Sequence, residues 1–177
     1  MLTITKIGLA VLFAAMNLAG GSGDPLKIKP IQKMQGGDSK VNYPMVRMIQ
    51  DQKSWKQLWA LHKGQPIVAD GSDKAAEDAV KPPEVDFDKN QVLVVFGGHM
   101  TDVESYDYVK TYAKEDTAVV QLSQNLIPAA AASDMKHPYI LMVIPKEPVA
   151  IEVQLDSIAK DGSHFWKTIQ SYRAPKP

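Results

Sequence analysis

The chain has 177 residues, with 20 Lys+Arg against 20 Asp+Glu, 4 histidines and no cysteine. One domain is the default at that length, and 45% hydrophobic against 23% charged residues excludes wholesale disorder. Zero formal charge removes the electrostatic footprint of nucleic-acid binding and of a polybasic grip on anionic lipid, while the missing thiol excludes disulfides, thiolate zinc, a cysteine nucleophile and an acylated cysteine.

Lys6, an apolar run from Ile7 to Met16 and the small residues of Asn17-Leu18-Ala19-Gly20-Gly21 form the three-part pattern of a secretory signal over residues 1–21. The run falls short of the roughly 20 residues that cross a bilayer. The mature chain is therefore expected to be extracytoplasmic (periplasmic, secreted or envelope-associated), with no transmembrane span. An apolar or amphipathic N-terminal helix is the alternative. Leu18-Ala19-Gly20 matches the start of a bacterial lipobox, but Gly21 stands where the acylated cysteine would be, so lipid anchoring there is chemically excluded. Ala19 and Gly21 would also suit a signal-peptidase cut before Ser22.

Residues 22–41 are polar and glycine-rich and predict a flexible tether. Met45, Val46, Met48 and Ile49 suggest a strand. Trp55, Leu58, Trp59 and His62 then fall on one face at helical spacing, with Ser54 and Gln57 as a capping box, Asp51 as the alternative cap and Gly64 as the stop. Residues 64–90 predict a long loop. Val92–Phe96 and Tyr139–Ile144 are apolar on both faces and read as central strands, the first ended by Gly97-Gly98. Residues 103–113 and 117–124 predict a hairpin that sets Tyr108 opposite Leu122 and Tyr112 opposite Ala118 on a core-facing side. Val149, Ile151, Val153 and Leu155 alternate with polar residues in a strand with one wet face, and Phe165–Ile169 adds a last strand.

The fold expected for 42–177 is one α+β domain: a mainly antiparallel sheet of five or six strands with one packed amphipathic helix, a β-sandwich or roll being the alternative. Trp55-Lys56-Gln57-Leu58-Trp59, the segment Val85 to Gly98, and Pro138-Tyr139 running into an apolar strand ended by Pro145 resemble the C-terminal domain of the PrcB family. That resemblance covers roughly residues 44–155 and rests on fold signatures rather than catalytic ones. It implies an exported bacterial accessory protein, of the kind that forms a subunit of a surface protease complex. After Gly98 the chain departs from the family pattern, because Thr101-Asp102-Val103-Glu104-Ser105-Tyr106 lacks the two glycines expected there.

No nucleophile elbow, Walker loop, His-Glu-x-x-His or Gly-x-Gly-x-x-Gly occurs. Gly97-Gly98 reads as a tight strand exit rather than a phosphate cradle. His99, Asp102 and Glu104 form the one tight cluster of metal-ligand types, and they underlie the alternative reading, a small metal-dependent hydrolase. His137 before Pro138 suggests a hydrogen bond at a strand entry, and His62 a filler among the tryptophans. Tyr106, Tyr108 and Tyr112 could line a platform for a sugar or peptide, Tyr106 being nearest the rim. The favoured reading is non-catalytic: no cofactor, a protein partner such as a protease subunit, no nucleic acid, and Tyr106, His99 and His137 as candidate binding residues.

Overall fold

The computed structural model describes residues 28–65, 81–128 and 134–174. Residues 1–21 and most of the expected 64–90 loop lie outside the described residues. In chain order the elements are β1 (Gln32–Gly36), β2 (Pro44–Ile49), α1 (Gln52–His62), β3 (Asn90–Gly97), β4 (Val103–Lys114), β5 (Thr117–Leu126), β6 (Tyr139–Pro145), β7 (Ala150–Ile158) and β8 (His164–Tyr172). They form two four-stranded sheets, β1-β6-β3-β2 (sheet I) and β4-β5-β7-β8 (sheet II). The fold is α+β with mainly antiparallel sheet, but the described residues hold eight strands rather than five or six.

The molecule is layered helix, sheet I, sheet II. Strands β3 and β6 pair antiparallel, Leu93 opposite Met142 and Val94 opposite Leu141. Side chains alternate across a sheet. Leu93, Val95, Ile140, Met142 and Ile144 therefore face sheet II, where they pack on Ala118, Val120, Leu122, Ile151 and Val153. Val92, Val94, Phe96, Leu141 and Val143 point the other way, onto Trp55, Leu58, Trp59 and the rest of the helix-side cluster. Two covered faces explain why both strands read as unbroken apolar runs. Among the described residues no second layer packs on the outer face of sheet II, and β7 alternates between buried and half-buried positions accordingly.

Asp51 caps α1: its carboxylate accepts from the Ser54 backbone N–H at 2.8 Å and from the Ser54 hydroxyl at 2.7 Å. Of the two expected caps the upstream carboxylate is used, and Ser54 is its partner. Gly64 ends the helix at φ +68°, the left-handed region that suits glycine. The far side of the 64–90 loop is anchored. Trp55 Nε1–H donates to the Pro83 carbonyl at 3.0 Å, and Val85 and Phe87 pack onto the helix-side cluster.

The tether expected over 22–41 is corrected from Ile28 onward. Ile28 is fully buried between the sheets, β1 pairs with β6, and Val41 is buried on the helix side. Five short polar-looking residues, QKMQG, carry no apolar alternation. They make a strand because β6 presents an unpaired edge. The hairpin register also differs at its turn. Lys114 pairs with Thr117 and Tyr112 with Val119, whereas Tyr108 does face Leu122, because the register shifts between Tyr108 and Lys110. That irregularity turns Tyr112 from the core side, and it is 37% exposed. Finally, β5 and β7 pair in parallel. The chain leaves sheet II after β5, runs through β6 in sheet I and re-enters sheet II in the same direction.

Two stability predictions follow from these layers. A chain beginning at Asn42 lacks β1, Ile28 and Val41. At roughly 1.5–3 kcal/mol for each fully buried aliphatic side chain, its denaturant midpoint should fall clearly below that of a chain beginning at Ile28. Equal midpoints would return residues 28–41 to the status of a tether. Trp55, with no exposed surface, joins the helix to sheet I, and Trp55→Ala should lower unfolding free energy by about 3–5 kcal/mol, measured by urea titration.

Candidate functional site

Tyr106, His99 and His137 lie near the end of sheet I that carries Gly97 without forming one site. Gly97 leaves the room that Tyr106 needs, since a Cβ there would collide with the Tyr106 hydroxyl and the Met100 sulfur. Gly98 then turns the chain out of β3 at φ +74°. Tyr106 is 3% exposed, its hydroxyl 3.5 Å from Met100 Sδ. Burial, aided by the Asp102 charge, pushes the phenol up to about 12. The expectation that Tyr106 is a rim-exposed binding residue is therefore corrected: it is core. Tyr108 packs against the same cluster, and Tyr112 points to the outer face. The three tyrosines do not share a platform.

His99 and His137 do come together. Met100 and Lys136 form an antiparallel bridge with backbone bonds of 3.0 and 2.8 Å, which sets the two histidines side by side. His137 Nε2 lies 2.8 Å from His99 Nδ1, and His137 Nδ1 lies 2.7 Å from the Ser39 carbonyl oxygen. A carbonyl only accepts, so His137 Nδ1 carries a hydrogen. In neutral His137 the Nε2 lone pair then accepts from His99 Nδ1–H. The expected hydrogen bond of His137 at the strand entry is present. Asp102 and Glu104 do not join the pair: among the described residues no group of three or more His, Asp or Glu side chains is placed to hold a metal ion. The three-ligand cluster His99, Asp102, Glu104 is thereby corrected, because Gly98 and the bend at 101–102 separate the imidazole from the carboxylates.

A second polar junction carried no sequence signal. Ser39, embedded in the glycine-rich stretch, is 1% exposed; its hydroxyl lies 3.0 Å from His62 Nδ1 and accepts from the Val41 backbone N–H at 3.1 Å. Lys40 N–H also donates to the His62 carbonyl at 2.9 Å. His62 is 1% exposed and packs against Trp59, Phe96 and Tyr139, the last with ring centroids 4.4 Å apart. Burial, with a smaller push from Lys63 and against the pull of Asp38, drives its imidazole down to about 4. A serine hydroxyl on an imidazole suggests a nucleophile and base. Here both are sealed from solvent, so the pair is a clamp between the N-terminal segment and the helix end.

A groove of about 620 Å³ runs along β2. As the end strand of sheet I, β2 has no strand paired to its outer side among the described residues. Met45, Met48, Leu58, Leu61, Tyr43 and Tyr172 supply its apolar lining, with Arg47 and Asp51 as its charges. At the opposite edge β1 meets β4, and Lys33 Nζ lies 3.1 Å from Asp107. Asn125 and Gln35, with Lys33, hold the Asp107 carboxyl below its ordinary range. One edge of the sandwich thus carries an ion pair and the other the groove. The two methionines in an imperfectly alternating strand were the only sequence hint of the groove.

No protein-family model matches the chain, and no match emerges among curated proteins or solved structures. Among the described residues no helix is long and apolar enough to cross a membrane.

The buried His62 sets a pH dependence. Its folded-state value lies below the ordinary 6.5, so the unfolded chain takes up a proton that the folded chain refuses. The stability is fully present above about pH 6.5 and declines as pH falls toward 4, at about 1.4 kcal/mol per pH unit. His62→Gln removes this titration. Urea titrations between pH 7.5 and 4.5 should show a shallower loss in the variant than in the parent; parallel curves would mean that His62 is free to ionise in the folded chain.

Proposed function

We propose that this chain is an exported, non-catalytic docking domain that holds an extended segment of a partner protein along the outer edge of β2, and that the partner belongs to an extracytoplasmic protease complex. The observation that carries the docking reading is the groove itself. Here a strand edge with no strand paired to it among the described residues lies beside half-exposed methionines and between the helix on one side and Tyr172 on the other. Unpaired edge N–H and C=O groups bind an incoming strand by main-chain hydrogen bonds, while flanking pockets select its side chains. Methionine adapts to varied apolar side chains. Arg47, exposed and without an ion-pair partner among the described residues, favours an acidic residue on the incoming strand.

Export and the protease association come from the sequence. The signal pattern of residues 1–21 supports the first, and the PrcB-like order of segments over 44–155 supports the second. The buried Ser39–His62 pair and the separated His99, Asp102 and Glu104 supply no reachable constellation for hydrolysis.

A photo-crosslinking residue at Tyr43, beside the groove, should join a second polypeptide in intact source cells. The same residue at Lys160, in the β7–β8 turn, should not. Arg47→Glu should weaken the Tyr43 product. Equal labelling from both positions, or a product confined to the chain itself, would overturn the groove as the docking surface. Identification of the crosslinked polypeptide decides the second part: a partner outside any protease complex removes that association and leaves docking intact.

A further inference from the structure

We propose that His99 and His137 form a two-imidazole site for a divalent late transition-metal ion, Cu²⁺ before Ni²⁺ or Zn²⁺. The site is separate from the β2 groove and does not depend on the docking reading. Three observations converge on it. The facing nitrogens, His99 Nδ1 and His137 Nε2, are 2.8 Å apart. At metal–nitrogen lengths of about 2.0 Å, nitrogens at that separation subtend an angle of about 90° at a shared ion. A tetrahedral ion would want them about 3.3 Å apart. A right angle is the cis relation of square-planar and octahedral spheres, the geometry of Cu²⁺ and Ni²⁺ with nitrogen ligands.

The second observation is the bond behind the site. Metal-ligating histidines ordinarily donate their other ring N–H to a carbonyl or carboxylate, which fixes the tautomer and aims the free nitrogen outward. His137 does so already, Nδ1–H to the Ser39 carbonyl at 2.7 Å, and its Nε2 lone pair points at His99 Nδ1, the side from which a shared ion would be bound. Ser39 is itself held by Val41 and His62 inside the fold, so this orientation is built in.

The third is access and charge. His99 is exposed on the bend after Gly98, whereas His137 is half-buried. His99 can therefore tilt to bring both lone pairs to one vertex. Binding through Nδ1 moves the ring hydrogen of exposed His99 to Nε2, so a neutral pair need release no net proton. Asp38 lies across a parallel bridge from His137 and adds a negative charge nearby, against the neighbouring Lys136. Water completes the coordination sphere.

Titration of the purified chain with Cu²⁺ alone, in a weakly coordinating buffer, should give saturable one-to-one binding by calorimetry. The electron paramagnetic resonance spectrum should show splitting from two nitrogens. His99→Ala removes a ligand without disturbing the Ser39–His137 bond, and should weaken binding by more than about a hundredfold, beyond the usual effect of losing an outer-shell partner. His164→Ala, whose ring instead pairs with Asp156 at 3.0 Å, should bind as the parent does. Absence of saturation in the parent, undiminished binding in His99→Ala, loss in His164→Ala, or tighter Zn²⁺ than Cu²⁺ would each overturn the site. Circular dichroism of His99→Ala matching the parent excludes misfolding as the reason for a loss.

Discussion

The burial of sheet I on both faces is the constraint on which the structure depends. A strand pair as apolar as Val92–Phe96 and Tyr139–Ile144 cannot leave either side in water, since each fully buried aliphatic is worth about 1.5–3 kcal/mol. One side takes the helix and the other takes sheet II. The helix then needs only one apolar face, which Trp55, Leu58, Trp59 and His62 supply. Sheet II needs only one as well, and polar side chains bond to one another along part of its outer surface. Gln121 Nε2 bonds Gln154 Oε1 at 2.8 Å, and Gln154 and Thr168 both donate to Glu152 at 2.7 Å. These two donors hold the Glu152 carboxyl below its usual range.

Both candidate sites arise where that layering ends. At the end of sheet I that carries Gly97, the chain must cross between layers, and polar groups appear in the gap: Ser39, His62, His137 and His99. Their bonds run from a sealed interior clamp to an exposed imidazole, so one cluster serves stability inside and ligand chemistry outside. At one lateral edge the two sheets are tied by Lys33 and Asp107, and at the other β2 and Tyr172 line the groove. There the edge of β2 lies next to an apolar trough, the surface proposed to receive another chain.

Much of the fold is legible in the residues because local periodicity records burial. The helix, its apolar face and the two doubly buried strands are recovered with boundaries close to those observed. The site is less legible. Tyr112 leaves its expected core face because one register irregularity near Val109 reverses the faces beyond it, and Tyr106 is buried because Gly97 leaves room for its ring; no local pattern announces either. His99 and His137 are 38 residues apart, so only the pairing of Met100 with Lys136 makes them neighbours. Ser39 sits in a segment whose composition reads as linker.

The sequence by itself determined the secondary structure wherever a segment's own side chains carry the driving force: α1, β3, β6, the hairpin and β7. Tertiary structure alone decided that β1 is a strand, that β5 and β7 run parallel, that the strands divide into two sheets, and that two distant imidazoles meet. The physical reason is the same in each case. These features are stabilised by backbone hydrogen bonds or single side-chain contacts to groups far along the chain, and such partners leave no periodicity in the segment that receives them.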